Sequence, residues 1–213
     1  MKYKTVLFDL DGTALDTLDD LTDSINYCLS KYNLPLRPKS DIRRFLGHGI
    51  KNLVTRSFEG SNVDIEEAFK MFAAYYKDHA SIKTKPYEGI VELIKELKSK
   101  GIKVGLVSNK ADIVVKELAK DYFENQFDYV LGQREDILKK PAPDMVYHAI
   151  KTLNGNLNDS IYIGDSEVDF ETALNANMDC LLVSYGFRDR EELEKLNSKY
   201  LVDSVLEIKE ILL

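Results

Sequence analysis

The sequence predicts an α/β protein: a parallel β-sheet covered by helices on both faces, with a small helical module inserted after the first strand. Three observations carry this. Short, fully apolar, β-branched runs alternate with stretches that show the apolar period of amphipathic helices. One stretch, from about residue 17 to 84, breaks that alternation and reads helical throughout. Carboxylates, a hydroxyl, an amide and lysines stand just after the apolar runs, and ligands bind beyond the carboxyl ends of parallel strands.

The elements follow in order. The first run, TVLF (5–8), leads into DLDGTALD, where Asp11-Gly12 alone reads as a hairpin turn. A hairpin needs a returning strand, and TLDDLTDSINYCLSKYN (17–33) is helical in pattern. Further helical segments are expected at 40–46, 49–58 and 64–80, with the chain returning near Pro86. GIVELIKELKSKG (89–101) places Ile90, Leu93, Ile94 and Leu97 on one helical face and stops at Gly101. Strands are then expected at KVGLV (103–107), YVL (129–131), SIYIG (160–164) and CLLV (180–183), with helices at 112–123, 144–153 and 167–177 between them. The resulting division is a Rossmann-like α/β core, residues 1–16 and 85–213, and an inserted helical module, residues 17–84.

Composition narrows the classes of function. With 44% hydrophobic and 31% charged residues, the 213-residue chain has the balance of a soluble globular protein. A net charge of −7 argues against nucleic acid or an anionic membrane as partner. No apolar run approaches a membrane span, and no signal-peptide pattern opens the chain. Cys28 and Cys180 share no paired spacing and are expected as reduced core thiols in a cytoplasmic protein.

The strand ends hold the chemistry. Asp9 and Asp11 follow the first strand, Ser108-Asn109-Lys110 the second, LKKPAPD (138–144) comes some residues after the third, and Asp165-Ser166-Glu167-Val168-Asp169 follows the fourth. Each group has a plain structural reading. Ser108 and Asn109 suit the N-cap of the next helix, Ser166 with Asp169 resembles a capping arrangement, and Lys140 could be a solvated loop lysine. Together they describe a site. Period-two alternation lets Asp9 and Asp11 point the same way while Leu10 anchors in the core. Clustered carboxylates would take up protons unless a cation sits among them, and oxygen-only ligands suit a hard ion, Mg²⁺. A lysine and hydroxyl donors beside that ion make a phosphate pocket. Gly12 would let the backbone approach the ligand. The expected reaction is phosphoryl transfer, with one carboxylate as nucleophile and the second as acid and base.

In their order, DLDGT, SN, KP and GDSEVD resemble the haloacid dehalogenase superfamily of aspartate-dependent phosphotransferases. The segments VSNKADIVVKEL, KKPAPD, GDSEVDFETALNA and VSYGFR are most similar to its phosphoglycolate phosphatase group. The resemblance covers the whole chain and implies that Asp9 attacks phosphorus and that Asp11 protonates the leaving oxygen and then activates water. It implies Mg²⁺ held by the carboxylates of Asp9 and Asp165 and the backbone carbonyl of Asp11, with Asp169 behind them. Ser108, with Asn109 nearby, would hold a phosphoryl oxygen, and Lys140 would offset charge around Asp9. Asp11 argues against the dehalogenating and phosphonate-cleaving members, which lack it, and no histidine of the mutase kind follows the first motif.

The helical insert, residues 17–84, resembles the small α-helical cap of that superfamily, and the resemblance implies that substrate choice lies in it. Residues 37–56 carry Arg37, Lys39, Arg43, Arg44, Lys51 and Arg56 against Asp41 alone, around a Gly47-His48-Gly49 break. Gly47, His48, Gly49, Lys51 and Arg56 are therefore candidate readers of an anionic leaving group. The plain reading of each arginine or lysine is a solvated side chain or a partner of acids such as Asp64–Glu67. The expected partner is a small phosphorylated substrate, phosphoglycolate first. Pyrophosphate, sugar phosphates, nucleotides and a non-catalytic signalling role are the alternatives.

Overall fold

The computed structural model describes residues 2–213. Its core is a six-stranded, all-parallel sheet built from β1 (Thr5–Phe8), β4 (Lys103–Ala111), β5 (Tyr129–Gln133), β6 (Ser160–Gly164), β7 (Asp179–Val183) and β8 (Tyr200–Val202). Their spatial order is β5-β4-β1-β6-β7-β8. After β1 the chain builds outward through β4 and β5, then returns to the other side of β1 with β6. That reversal makes the carboxyl ends of β4, β1 and β6 the crevice of the sheet.

Alternation along the strands divides the core. Val6 and Phe8 of β1, with Ile161 and Ile163 of β6, pack under α5 (Ile90–Ser99), α6 (Asp112–Phe123) and α10 (Val205–Leu212). Leu7 and Tyr162 point the other way, under α7 (Asp144–Thr152), α8 (Glu167–Asn175) and α9 (Arg190–Glu194). β1 is buried along its whole length, which is why its sequence reads as an uninterrupted apolar run. β4 runs four residues beyond the expected 103–107, with a register shift between Val107 and Ala111. That extension replaces the expected helix cap at Ser108-Asn109: α6 starts at Asp112 with no side-chain cap.

Residues 17–84 contain α1 (Leu18–Lys31), α2 (Lys39–Phe45), α3 (Ile50–Ser57) and α4 (Ile65–His79). Leu21, Ile25, Ile42, Leu53, Val54, Phe58 and Phe72 form their own apolar cluster, into which Phe187 inserts from the core side. The two connections pair as a minimal antiparallel ladder, β2 (Leu15–Asp16) against β3 (Lys85–Pro86). Beside it, the buried carboxylate of Asp20 accepts the backbone N–H groups of Lys83 and Thr84 at 2.8–3.0 Å. Asp20→Ala would leave those donors without their acceptor, and we expect a loss of about 2–4 kcal/mol in urea unfolding. No helix among the described residues is long and apolar enough to cross a membrane.

Candidate active site

Strand geometry delivers the site residues to the crevice. Beyond Phe8, Leu10 is fully buried in the core while Asp9 and Asp11 both line the cleft. Asp165 follows β6, and Asp169 lies one turn into α8. Asp9, Asp165 and Asp169 each place a carboxylate oxygen within 4.8 Å of the others, and all three are buried. Lys140, also buried, stands among them: its Nζ is 2.9 Å from Asp9 Oδ1 and 2.7 Å from Asp169 Oδ1, and it donates to the Tyr162 hydroxyl at 3.0 Å. The second Asp169 oxygen accepts from the backbone N–H of Asp165 and Ser166 and from the Ser166 hydroxyl. One carboxylate thus serves both the helix end and the lysine.

Three buried acids face one ammonium. Burial, opposed by Lys140 and reinforced by Asp169, pushes the Asp9 carboxyl up to about 7. Burial, then Asp169 and Asp9, pushes Asp165 well above the carboxylate range. Burial alone would lower Lys140, but Asp169 and Asp9 outweigh it and hold the ammonium well above its ordinary value. The cluster is short of positive charge. Asp9 Oδ1, although within ion-pair range of Lys140, makes no hydrogen bond. Hard oxygen donors, a charge deficit and an unbonded buried oxygen fit a divalent cation. Asp9, Asp165 and Asp169 are the residues that could hold it, and Asp169 is also bonded to Lys140 and Ser166.

Asp11 faces a different set of partners. Its Oδ1 accepts from the Thr17 hydroxyl at 2.5 Å and from Lys110 Nζ at 2.7 Å. Lys110 was named with Ser108 and Asn109 at the strand end but given no role, and its side chain is buried and lines the cleft. The signal was its place after Ser108 and Asn109, which becomes informative only once β4 is known to continue past Val107.

Two residues expected at the phosphate have bonds or neighbours within the protein, and one of them, Asn109, lines the cleft. Gly12 has φ +83° and its N–H donates to Leu15 O at 2.9 Å, so that donor is already used. A Cβ there would meet Asp165 Oδ2 at 2.2 Å, so the glycine makes room for that carboxylate. Asn109 clamps the Lys140 backbone with both ends of its amide: Oδ1 accepts from Lys140 N and Nδ2 donates to Lys140 O, each at 2.9 Å. It positions the lysine. Ser108 lines the cleft, and among the described residues its hydroxyl donates to no protein acceptor.

The cap residues separate into two groups. Gly47 and Gly49 line the cleft, and Asn109 Nδ2 reaches Gly47 O at 3.4 Å. His48 lies at the rim, its Nε2 3.6 Å from Glu167 Oε1. Lys51 and Arg56 are not brought to the cleft. Lys51 pairs with Glu66 on α4, and Arg56 stacks on the Phe45 ring at 4.6 Å. Local charge had singled them out, but both lie on exposed parts of α3. The arginine in the cleft is Arg188 from the core, which donates to Leu46 O at 2.7 Å and pairs with Glu167. Arg43 crosses in the opposite direction, to Asp189 at 2.6 Å and Gly186 O at 3.2 Å. With these bonds made, the cleft encloses about 30 Å³, room for little more than a water molecule.

This geometry has close counterparts. A family model described as haloacid dehalogenase-like hydrolase matches residues 6–183. A phosphoglycolate phosphatase of Psychrobacter arcticus is 32% identical over 207 residues, covering 92% of this chain and 90% of its own length. A pyrophosphatase of Bacillus cereus is 28% identical, covering 100% and 97%. A crystal structure from Lactobacillus delbrueckii subsp. bulgaricus, described as a candidate phosphoglycolate phosphatase, superposes with a TM-score of 0.93 at 35% identity, covering 100% of this chain and 99% of that one. The family match begins in β1, just ahead of Asp9, runs through β7 and takes in Asp9, Asp11, Ser108, Lys140 and Asp165, and the chain therefore belongs to the haloacid dehalogenase-like hydrolases.

Proposed function

We propose that the protein is a cytoplasmic, Mg²⁺-dependent phosphatase that hydrolyses small phosphate monoesters through an aspartyl-phosphate on Asp9. The observation that carries this reading is the buried Asp9–Asp165–Asp169 trio with Lys140 as its one close cation. Mg²⁺ held by the carboxylates of Asp9 and Asp165 and the backbone carbonyl of Asp11 would supply the missing positive charge and draw electron density from the phosphoryl group. An Asp9 carboxylate oxygen attacks phosphorus, the P–O bond to the leaving group breaks, and Asp11 gives its proton to the departing oxygen. Asp11, now a carboxylate, takes a proton from water as the water oxygen attacks the same phosphorus. The bond to Asp9 breaks and inorganic phosphate leaves. Ser108 donates to a phosphoryl oxygen, and Asn109 and Asp169 hold Lys140 beside Asp9. Positioning and fixed charge do most of the work in such transfers.

The relatives support phosphoglycolate as the leading substrate, and the Bacillus cereus relative supports pyrophosphate as the second reading. The test is phosphate release from phosphoglycolate, pyrophosphate, sugar phosphates and nucleoside monophosphates. We expect chelation to reduce turnover to background, Mg²⁺ to restore it, and phosphoglycolate to show the highest kcat/KM. Activity that survives thorough chelation would exclude the metal role, and a higher kcat/KM for pyrophosphate would favour the second reading.

A further inference from the structure

Each of the two carboxylates that lead into the reaction has its own buried lysine: Lys140 stands beside Asp9, and Lys110 beside Asp11. Lys110 is 2% exposed, and a buried ammonium is costly unless it is paired. Its Nζ has three N–H groups, and among the described residues it donates only to Asp11 Oδ1, at 2.7 Å. It also lies 4.8 Å over the ring of Tyr76, a buried residue of the cap helix α4. The core directs the lysine inward through β4, which continues to Ala111 and pairs that residue with Gln133. The ammonium is therefore carried by the core and covered by the cap.

The Thr17 hydroxyl donates to the same Asp11 oxygen, at 2.5 Å. Both donors fall on Oδ1, and Oδ2 takes no hydrogen bond from the described residues. Asp11 lines the cleft with its side chain 18% exposed, so Oδ2 is the oxygen free to meet a reacting group. A carboxyl gripped at one oxygen by two donors cannot rotate without breaking both bonds. An oxygen that already accepts from an ammonium and a hydroxyl is a poor seat for a proton, which leaves Oδ2 to carry it.

We propose that Lys110 is a positioning residue for the acid–base step: with Thr17 it holds Asp11 by Oδ1 and so presents Oδ2 first to the leaving oxygen and then to water. This rests on the phosphatase reading and deepens it. In the first half-reaction the Oδ2–H bond breaks as the leaving oxygen, which takes the electron pair of the P–O bond, accepts the proton. In the second, Oδ2 takes a proton from the water whose oxygen bonds to phosphorus as the bond to Asp9 breaks. Lys110 gives up no proton in either.

The test separates an ester that needs the proton from one that does not. With Mg²⁺ present, kcat/KM is measured on para-nitrophenyl phosphate, whose phenolate leaves without protonation. It is also measured on the alkyl phosphate, among phosphoglycolate, sugar phosphates and nucleoside monophosphates, that the wild type hydrolyses best. This parameter covers the steps through departure of the leaving group, so the attack of water does not enter it. We expect Lys110→Met to lower kcat/KM about 100-fold on the alkyl ester and less than about threefold on the nitrophenyl ester, the scale of a misplaced catalytic group. Asp11→Asn should discriminate between the esters in the same sense. Adding Lys110→Met to Asp11→Asn should cost less than about twofold more on the alkyl ester, because the lysine acts only through Asp11. Lys110→Arg, which keeps a cationic donor, should recover at least about tenfold of the loss. Urea unfolding shows that each variant is folded, and Lys110→Gln, with the same expectation, replaces Lys110→Met if that variant is not. Equal losses on the two esters in Lys110→Met while Asp11→Asn discriminates, or additive losses in the double variant, overturn the positioning role and leave the phosphatase reading standing. Equal losses in Asp11→Asn as well remove its acid role and this one with it. No phosphate release from any alkyl phosphate by the wild type removes the monoesterase reading and the positioning role together.

Discussion

Asp9→Asn is expected to lower phosphate release by more than about 1,000-fold, because an amide cannot act as the nucleophile. The folded state should survive the change. In the metal-free protein, burial and Asp169 push the Asp9 carboxyl up to about 7, against an unfolded value near 3.9. The folded state therefore holds this proton more tightly than the unfolded one. The contribution of Asp9 to stability is fully present below about pH 4 and is lost as pH rises through about 7. Asparagine mimics the protonated acid at every pH. The variant should match the wild type near pH 4 and exceed it above pH 7, by up to about 4 kcal/mol. Adding Mg²⁺ should narrow that gap, since binding to the native wild type adds stability by mass action. Urea unfolding from pH 4 to 8, with and without Mg²⁺, checks the sign. A variant less stable than the wild type at pH 8 without metal would mean that Asp9 is adequately compensated by Lys140 alone.

The same burial explains what could be read from the sequence. Asp9 and Asp165 were legible because each stands just after a fully buried strand, and Lys140 because it directly precedes Pro141 in a proline-bearing loop. The parallel core was legible for the same reason: TVLF and SIYIG are apolar on both faces because both faces are covered. β8 was not expected, since a three-residue edge strand gives too short a period to detect. The roles of Lys110 and Arg188 were missed because they depend on tertiary direction. Lys110 is turned inward by the extension of β4, and Arg188 by the loop that lays Phe187 N–H on Asp165 at 2.6 Å. Lys51 shows the converse. It sits in the first turn of α3, whose leading residues face the cleft, but its own direction is toward Glu66. Charge counts along a sequence carry no such direction.

Lys140→Met should have the second large effect, and its partner Asp169 supplies the control. The methionine keeps the length of the side chain and removes the cation, leaving Asp9, Asp165 and Asp169 buried together. We expect kcat to fall about 100- to 1,000-fold through lost electrostatic stabilisation, and stability without metal to fall by about 3–5 kcal/mol through uncompensated buried charge. Asp169→Asn alone should also destabilise, because it removes the 2.7 Å ion pair to Lys140 and weakens the acceptor for the Ser166 hydroxyl. In the Lys140→Met background the same substitution should be stabilising, since it then deletes one of three mutually repelling acids. The effect of Asp169→Asn therefore changes sign between backgrounds, a coupling expected only for directly interacting charges. Urea unfolding of the four proteins at pH 8 measures it. Additive effects would show that Asp169 supports the end of α8 through Ser166 and contributes nothing to holding Lys140 beside Asp9.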